Sequence, residues 1–269
     1  MHMHKMFRNK HITSTLAGVA IVAAAAIFNE EPRGQSTLRT TAEETFDGLE
    51  GAIERTTFNG RDITITSITF DPNLYALHVV SAPDKNLFKL EDAMNKGDYI
   101  GGINGGFYES DHTPTGLVVR NGIKTNPLTP KTVCSGVFWL DSDNNPYIQH
   151  TDHFKESPDV VWALQCGPLL VDNGSDRLQG IEMPYGNDFP TRRSVISIDN
   201  QGNIQLSVID PIGLHDLSAF MATRSEYALN LDGGPSSRIF LDDNGDTTAY
   251  GSNYVTKDFL MITKANSEE

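Results

Sequence analysis

Three segments of the chain hold the side chains best suited to chemistry. The first is GGINGGFY (101–108), running on to Glu109. Its paired glycines, among them Gly105 and Gly106, let backbone approach another chain or a ligand. Asn104 offers a donor and an acceptor beside them, and Tyr108 adds a hydroxyl. The second is LNLDGGPSS (229–237), where Leu229 and Leu231 alternate with Asn230 and Asp232 as in a strand. The strand breaks at Gly233 and Gly234, with Ser236 and Ser237 beyond. A carboxylate at the end of a buried strand can have its pKa tuned for acid–base work. The third is DFPTRRSVISI (188–198), which brings Arg192 and Arg193 into a strand-like run. A guanidinium presents a planar fork of donors to phosphate or carboxylate. Adjacent strand residues face opposite ways, so one arginine faces a site and the other does not. Each segment also has a plain structural reading: a tight turn, an Asp capping a turn, an internal salt bridge.

Other chemistries find less support. GxGxxG, GxxxxGK[ST], HExxH and GxSxG do not occur. Asp141, Asp143 and Asn145 have the 1-3-5 spacing of a calcium loop. However, Pro146 stands where that loop needs Gly, and Asp152 where it needs Glu. A solvated hairpin turn is the better reading. Beyond His150 and His153 no histidines have ligand spacing, so a metal-dependent phosphodiesterase is disfavoured and no metal or cofactor is expected. Cys134 and Cys166 are too few for a disulfide scaffold. They read as two small buried side chains, with one bridge as the alternative in an exported protein.

The elements that must position these residues are short strands between turns. Residues 63–70 and 74–81 alternate across Asp71-Pro72-Asn73 and read as a hairpin. Residues 133–140 and 146–149, 194–199 and 203–209, and 236–241 and 247–250 read as three more strand pairs around Asp/Asn-rich turns. Helical spacing is confined to 87–96 and 215–226. Strands outnumber helices without regular βαβ alternation. The expected class is therefore α+β: a mixed, strand-rich sheet architecture with a few packed helices in a single domain.

The whole chain has 269 residues and a formal charge of −14, with 38% hydrophobic residues. It can bury a sizeable core. Lys5, Arg8 and Lys10 are the only charges in the first 28 residues, which leaves 18 basic against 35 acidic side chains in the remainder. A body this acidic repels nucleic-acid backbones, although one local basic site suffices for a phosphate ligand. A basic flank at 5–10, an uncharged run at 12–28 and the A-x-A-like Ala24 and Ala26 describe a signal peptide. At 17 residues the run also suits an uncleaved N-terminal anchor, the one membrane contact expected. Residues 29–54 read as a polar linker and 55–269 as the domain.

In order along the chain, INGGFY with PTGLVVRNG, CGPLLVDNG, RRSVISIDNQGNIQLSVID and ALNLDGGPSSRIFL together resemble the phosphodiester glycosidase family. That family includes the catalytic domain of the mammalian uncovering enzyme and many exported bacterial proteins. The resemblance covers about 60–265 and departs in two places. Pro235 stands where Gly is common, and Tyr108 replaces a frequent Phe. It implies a hydrolase that cleaves sugar-1-phosphodiesters, with a phosphate-linked sugar or glycan as substrate. On that alignment Arg193 takes the phosphate, Asp232 is the catalytic carboxylate and Asn104 positions sugar or phosphate oxygens. Glu109 is a candidate second carboxylate. Gly105, Gly106, Tyr108, Arg192, Gly233, Gly234, Ser236 and Ser237 would contribute to substrate binding. The competing class is a non-catalytic envelope protein that binds phosphorylated glycan, which would not need Asp232 to be a carboxylate.

Overall fold

The computed structural model describes residues 47–182 and 188–265. The leader expected at 1–28 and most of the linker lie outside them. Alternating apolar residues build three antiparallel sheets. The largest runs, in spatial order, β1 (Leu49–Phe58), β2 (Arg61–Phe70), β13 (Ile204–Ile212), β12 (Thr191–Ile198), β14 (Tyr227–Asn230), β10 (Leu169–Asp172) and β11 (Ser175–Asp176). The second runs β16 (Asp246–Gly251), β15 (Arg238–Asp243), β4 (Gly101–Asn104), β17 (Asp258–Lys264) and β3 (Tyr75–Ser81). The third runs β6 (Ile123–Asn126), β5 (Val118–Arg120), β9 (Trp162–Cys166), β7 (Gly136–Leu140) and β8 (Pro146–His150).

One apolar core joins the inner faces of all three sheets. Ile196, Leu206 and Leu229 come from the first, Ile103, Ile239 and Leu260 from the second, and Val118, Phe138 and Leu164 from the third. The period-two alternation of strands sends the intervening residues outward. There each sheet acquires its own cover. Val195 and Ile209 meet Leu217, Phe220 and Met221 of α2 (Leu214–Ala222). Phe259 and Met261 meet Leu90 and Ala93 of α1 (Leu90–Met94). Leu117, Val137 and Ala163 meet Phe154 and Val160.

Several expectations are corrected here. The architecture is strand-rich, but it is mostly β rather than α+β: the described residues contain two α-helices, of five and nine residues. The strand pairs are antiparallel, not mixed. Residues 63–70 and 74–81 do not form a hairpin. β2 pairs with β1 and β13, whereas β3 pairs with β17 in another sheet. The turn at Asp71, whose carboxylate accepts the Asn73 N–H at 2.8 Å, carries the chain from one sheet to the next. β1 begins at Leu49, inside the stretch read as linker. The other three strand pairs form as expected.

Candidate active site

The site lies at one end of the first sheet, where the cavity is bordered by β12, β14, β10 and the end of β8, and Asp232 is anchored against β4 of the second sheet. Asp232 lies two residues beyond β14, and three contacts fix the backbone of Leu231 and Asp232. Its N–H donates to the Gly105 carbonyl at 3.1 Å, and its own carbonyl accepts from Asn104 Nδ2 at 2.7 Å. Leu231 N–H donates to the Ser194 carbonyl at 2.8 Å. Asn104 Oδ1 in turn accepts from Ser194 Oγ at 2.8 Å and from Arg238 N–H at 3.1 Å. Asn104 is 1% exposed, and its amide is occupied by protein. It therefore locks β4, β12 and the Asp232 backbone together, and does not reach into the cavity to hold sugar or phosphate as expected.

Asp232, Gly233, Gly234 and Arg193 line one cavity of about 590 Å³. Burial pushes the Asp232 carboxyl up to about 6, against the opposing hydrogen bonds from the Ser236 hydroxyl and the Gly233 N–H. Arg193 is anchored by Nε to the Ile212 carbonyl at 3.4 Å and by Nη2 to the Phe189 carbonyl at 3.2 Å. Burial lowers its pKa, while the Asp188 carboxylate opposes that shift. A guanidinium remains charged in any case. A Cβ on Gly233 would lie 3.0 Å from the Arg192 carbonyl oxygen and 3.7 Å from Arg193 Cδ, so the Gly233 backbone packs against the start of β12. Gly234 has φ +60°, and the space around it is open.

The remaining predicted residues fall elsewhere. Arg192 points to the opposite side of β12, as alternation requires. There it stands 3.4 Å from Asp210 Oδ2 and over the Tyr250 ring, in a separate depression with Ser252, Asn253 and Tyr254. Glu109 is half-exposed and hydrogen-bonded by Lys131 Nζ at 2.5 Å, away from the cavity lining. Gly105 and Gly106 make room for protein rather than ligand. A Cβ would lie 2.7 Å from the Asp258 carbonyl carbon at Gly105 and 3.3 Å from the Gln165 carbonyl oxygen at Gly106. Tyr108 hydroxyl donates to the Val255 carbonyl at 3.4 Å. Ser236 acts through Asp232, and Ser237 is fully buried.

The cavity also holds residues that sequence reasoning passed over. Asn230 lines it and is 3% exposed. Its Nδ2 donates to the Gly167 and Leu231 carbonyls at 2.8 and 2.9 Å, and its buried Oδ1 has no partner among the described residues. That oxygen can accept a hydroxyl. The alternation of Asn230 with Leu229 and Leu231 was the signal available for it. Arg177 and His150 reach the cavity from outside any segment the sequence marked. Gln165 shapes one wall: its Nε2 donates to the Thr129 and Cys134 carbonyls and so holds the loop bearing Thr132 and Val133. Cys134 and Cys166 are free and buried. Asp141 accepts from Asp143, Asn145 and Tyr147 as a hairpin turn. Among the described residues no three His, Cys, Asp or Glu side chains converge as a metal site needs.

A raised carboxylate just beyond a strand and a half-buried guanidinium, both lining one cavity, have the makings of a glycosidase-type hydrolase. The chain belongs to the phosphodiester glycosidase family, whose model spans residues 97–260. Over 92 residues it is 30% identical to the uncharacterized protein YigE of Escherichia coli K12, and it spans about a third of that relative's length (36%, against 32% of its own). The fold is shared with a hypothetical protein from Synechocystis, at TM-score 0.65 and 13% identity over 81% of this chain and 62% of the other. It is shared equally with the zebrafish N-acetylglucosamine-1-phosphodiester α-N-acetylglucosaminidase catalytic domain, there auto-inhibited by its pro-peptide. The TM-score is again 0.65, with 15% identity over 84% and 87%. A protein described as exported, from Burkholderia pseudomallei, follows at TM-score 0.53 and 12% identity over 75% and 74%.

Proposed function

We propose that this protein hydrolyses the glycosidic bond of a sugar-1-phosphodiester. The observation that carries the reading is that Asp232 and Arg193 line one cavity. A phosphate monoester leaves with its charge already stabilised, so help from a general acid matters less than in ordinary glycoside hydrolysis. Three tasks remain: stabilising an oxocarbenium-like centre, binding phosphate and activating water. In this reading the ionised Asp232 faces the anomeric carbon and takes the proton of the incoming water. The C1–O bond breaks, and Arg193 holds the departing phosphate monoester. Asn230 Oδ1 accepts a sugar hydroxyl.

The test is to incubate the purified protein with sugar-1-phosphodiesters and measure free sugar and phosphate monoester. Asp232→Asn keeps the shape and removes the charge, so it lowers kcat by about 10²-fold or more. Arg193→Lys keeps the charge and loses the fork, so it weakens both binding and turnover. Near-normal turnover in a folded Asp232→Asn protein overturns the assignment. Saturable binding of phosphorylated glycan without hydrolysis would instead establish the binding-protein alternative.

Export belongs to the same proposal, supported by the basic-apolar-small pattern of residues 5–28. Among the described residues no helix is long and apolar enough to cross a membrane. N-terminal sequencing of protein recovered from the envelope or medium is expected to show cleavage near Ala26 or an intact anchor. A soluble cytoplasmic product that retains Met1 overturns it.

A further inference from the structure

We infer that the second ester arm of the substrate is a hydrocarbon, so that the protein acts on a sugar joined through phosphate to an alkyl or prenyl chain. This inference rests on the reading of the site proposed above. The order of groups along the cavity carries it. Asp232 is followed by Gly233, which borders the Arg193 side chain, and Arg193 Nη2 reaches the Phe189 carbonyl at 3.2 Å. A sugar at Asp232 with its phosphate on Arg193 therefore sends the second arm toward Phe189. Phe189 and Ile181 line the cavity on that side and are 61% and 50% exposed, over a floor that includes the buried Leu178 and Leu214; Val133, 40% exposed, lines the same cavity, whose charged lining residues besides Asp232 and Arg193 are Arg177 and Glu182.

Large apolar side chains left in water are uncommon enough to need a reason when they gather. Seven stand exposed among the described residues, and three of the seven ring this one cavity. A sugar or peptide arm would require donors and acceptors that these three side chains do not have. The contrast lies one residue away on β12, where Arg192, Asp210 and Asn253 line the neighbouring depression with polar groups. A lipid-like arm pinned by a phosphate fits both the apolar wall and the arginine at its base.

The experiment uses methyl, butyl and hexyl diesters of one sugar-1-phosphate, together with a diester whose second arm is another sugar. The expected result is a rise in kcat/KM of about two- to fourfold per methylene that reaches the wall, with the two-sugar diester well below hexyl. Ile181→Ser and Val133→Ser flatten that slope, and melting curves verify that both variants are folded. A flat or falling series in which the methyl diester is still cleaved overturns the hydrocarbon arm and leaves the glycosidase reading standing. Binding of hexyl phosphate against methyl phosphate, measured by calorimetry, gives a readout independent of turnover. If no diester is cleaved but hexyl phosphate binds more tightly, the reaction is wrong and the apolar subsite remains. If no diester is cleaved and the two phosphates bind alike, both fall.

Discussion

At Asp232, burial and hydrogen bonding pull the carboxyl in opposite directions, and burial prevails, placing it at about 6. Used as a carboxylate, it makes kcat/KM rise with pH through about 6 and level off above, which a pH–rate profile of the free enzyme reports. The Ser236 hydroxyl opposes the rise. Ser236→Ala is therefore expected to move the midpoint upward; an unmoved or lowered midpoint denies that hydroxyl its role. Asn104 supports the same residue from behind. Asn104→Ala leaves Ser194 Oγ, Arg238 N–H and the Asp232 carbonyl without their partner. Unmet buried polar groups cost about 1–3 kcal/mol each, so a loss of about 3 kcal/mol or more is expected on denaturant unfolding, with a fall in kcat as Asp232 shifts. The sequence marked Asp232, Arg193 and the double glycine because a strand breaking into flexible backbone is a local pattern. It put Asn104 in contact with substrate because an amide beside glycines looks the same whether it grips ligand or protein. Arg177 went unmarked, and His150 was noted only for its spacing to His153, for the complementary reason: only the tertiary fold brings them to the cavity.

Strand β4 connects the site to the sheets, and its neighbours allow little space for side chains. Gly105 N–H donates to the Asp258 carbonyl, while its carbonyl holds Asp232. A Cβ there meets the Asp258 backbone at 2.7 Å, and one at Gly102 meets the Leu260 carbonyl at 2.5 Å. Backbone cannot swing aside as a side-chain tip can, so Gly105→Ala and Gly102→Ala each cost about 1–3 kcal/mol or more. The two separate in activity. Gly105→Ala displaces Asp232 and lowers kcat, whereas Gly102→Ala, three residues further from the loop, mainly lowers the melting temperature. Equal kcat losses would show that β4 moves as a rigid unit. Hairpins such as β12–β13 were legible because Asp199 gathers the Gln201 and Asn203 N–H groups into a local turn. The sheet switch at Asp71 was not. Alternation identifies a strand but not its partner, and the same kind of turn serves both arrangements.

Across the whole molecule, the shared core takes in the inner faces of all three sheets, and little polar chemistry survives inside it. Asp258, on β17, is the one buried carboxylate among the described residues. It is fully buried, with Oδ1 accepting from Ser81 Oγ and Oδ2 without a partner among the described residues. Lys257 does not neutralise it directly, because its Nζ donates to the Ala82 and Asp84 carbonyls. Burial consequently raises the Asp258 carboxyl from 3.8 to about 6. Between those values the native state holds a proton that the unfolded chain has released. The resulting stability is complete below about pH 4, declines as pH rises through 6 and is absent above it. A shift of about two units corresponds to about 3 kcal/mol. Asp258→Asn keeps the acceptor for Ser81 and never ionises. Urea titrations from pH 4 to 8 are therefore expected to show the variant gaining about 3 kcal/mol on the wild type as pH rises, the two being most alike at pH 4. Asp232 titrates in the same range but is common to both proteins, so it cancels in the difference. Parallel stability curves for the two proteins would mean that Asp258 reaches water or a cation at neutral pH.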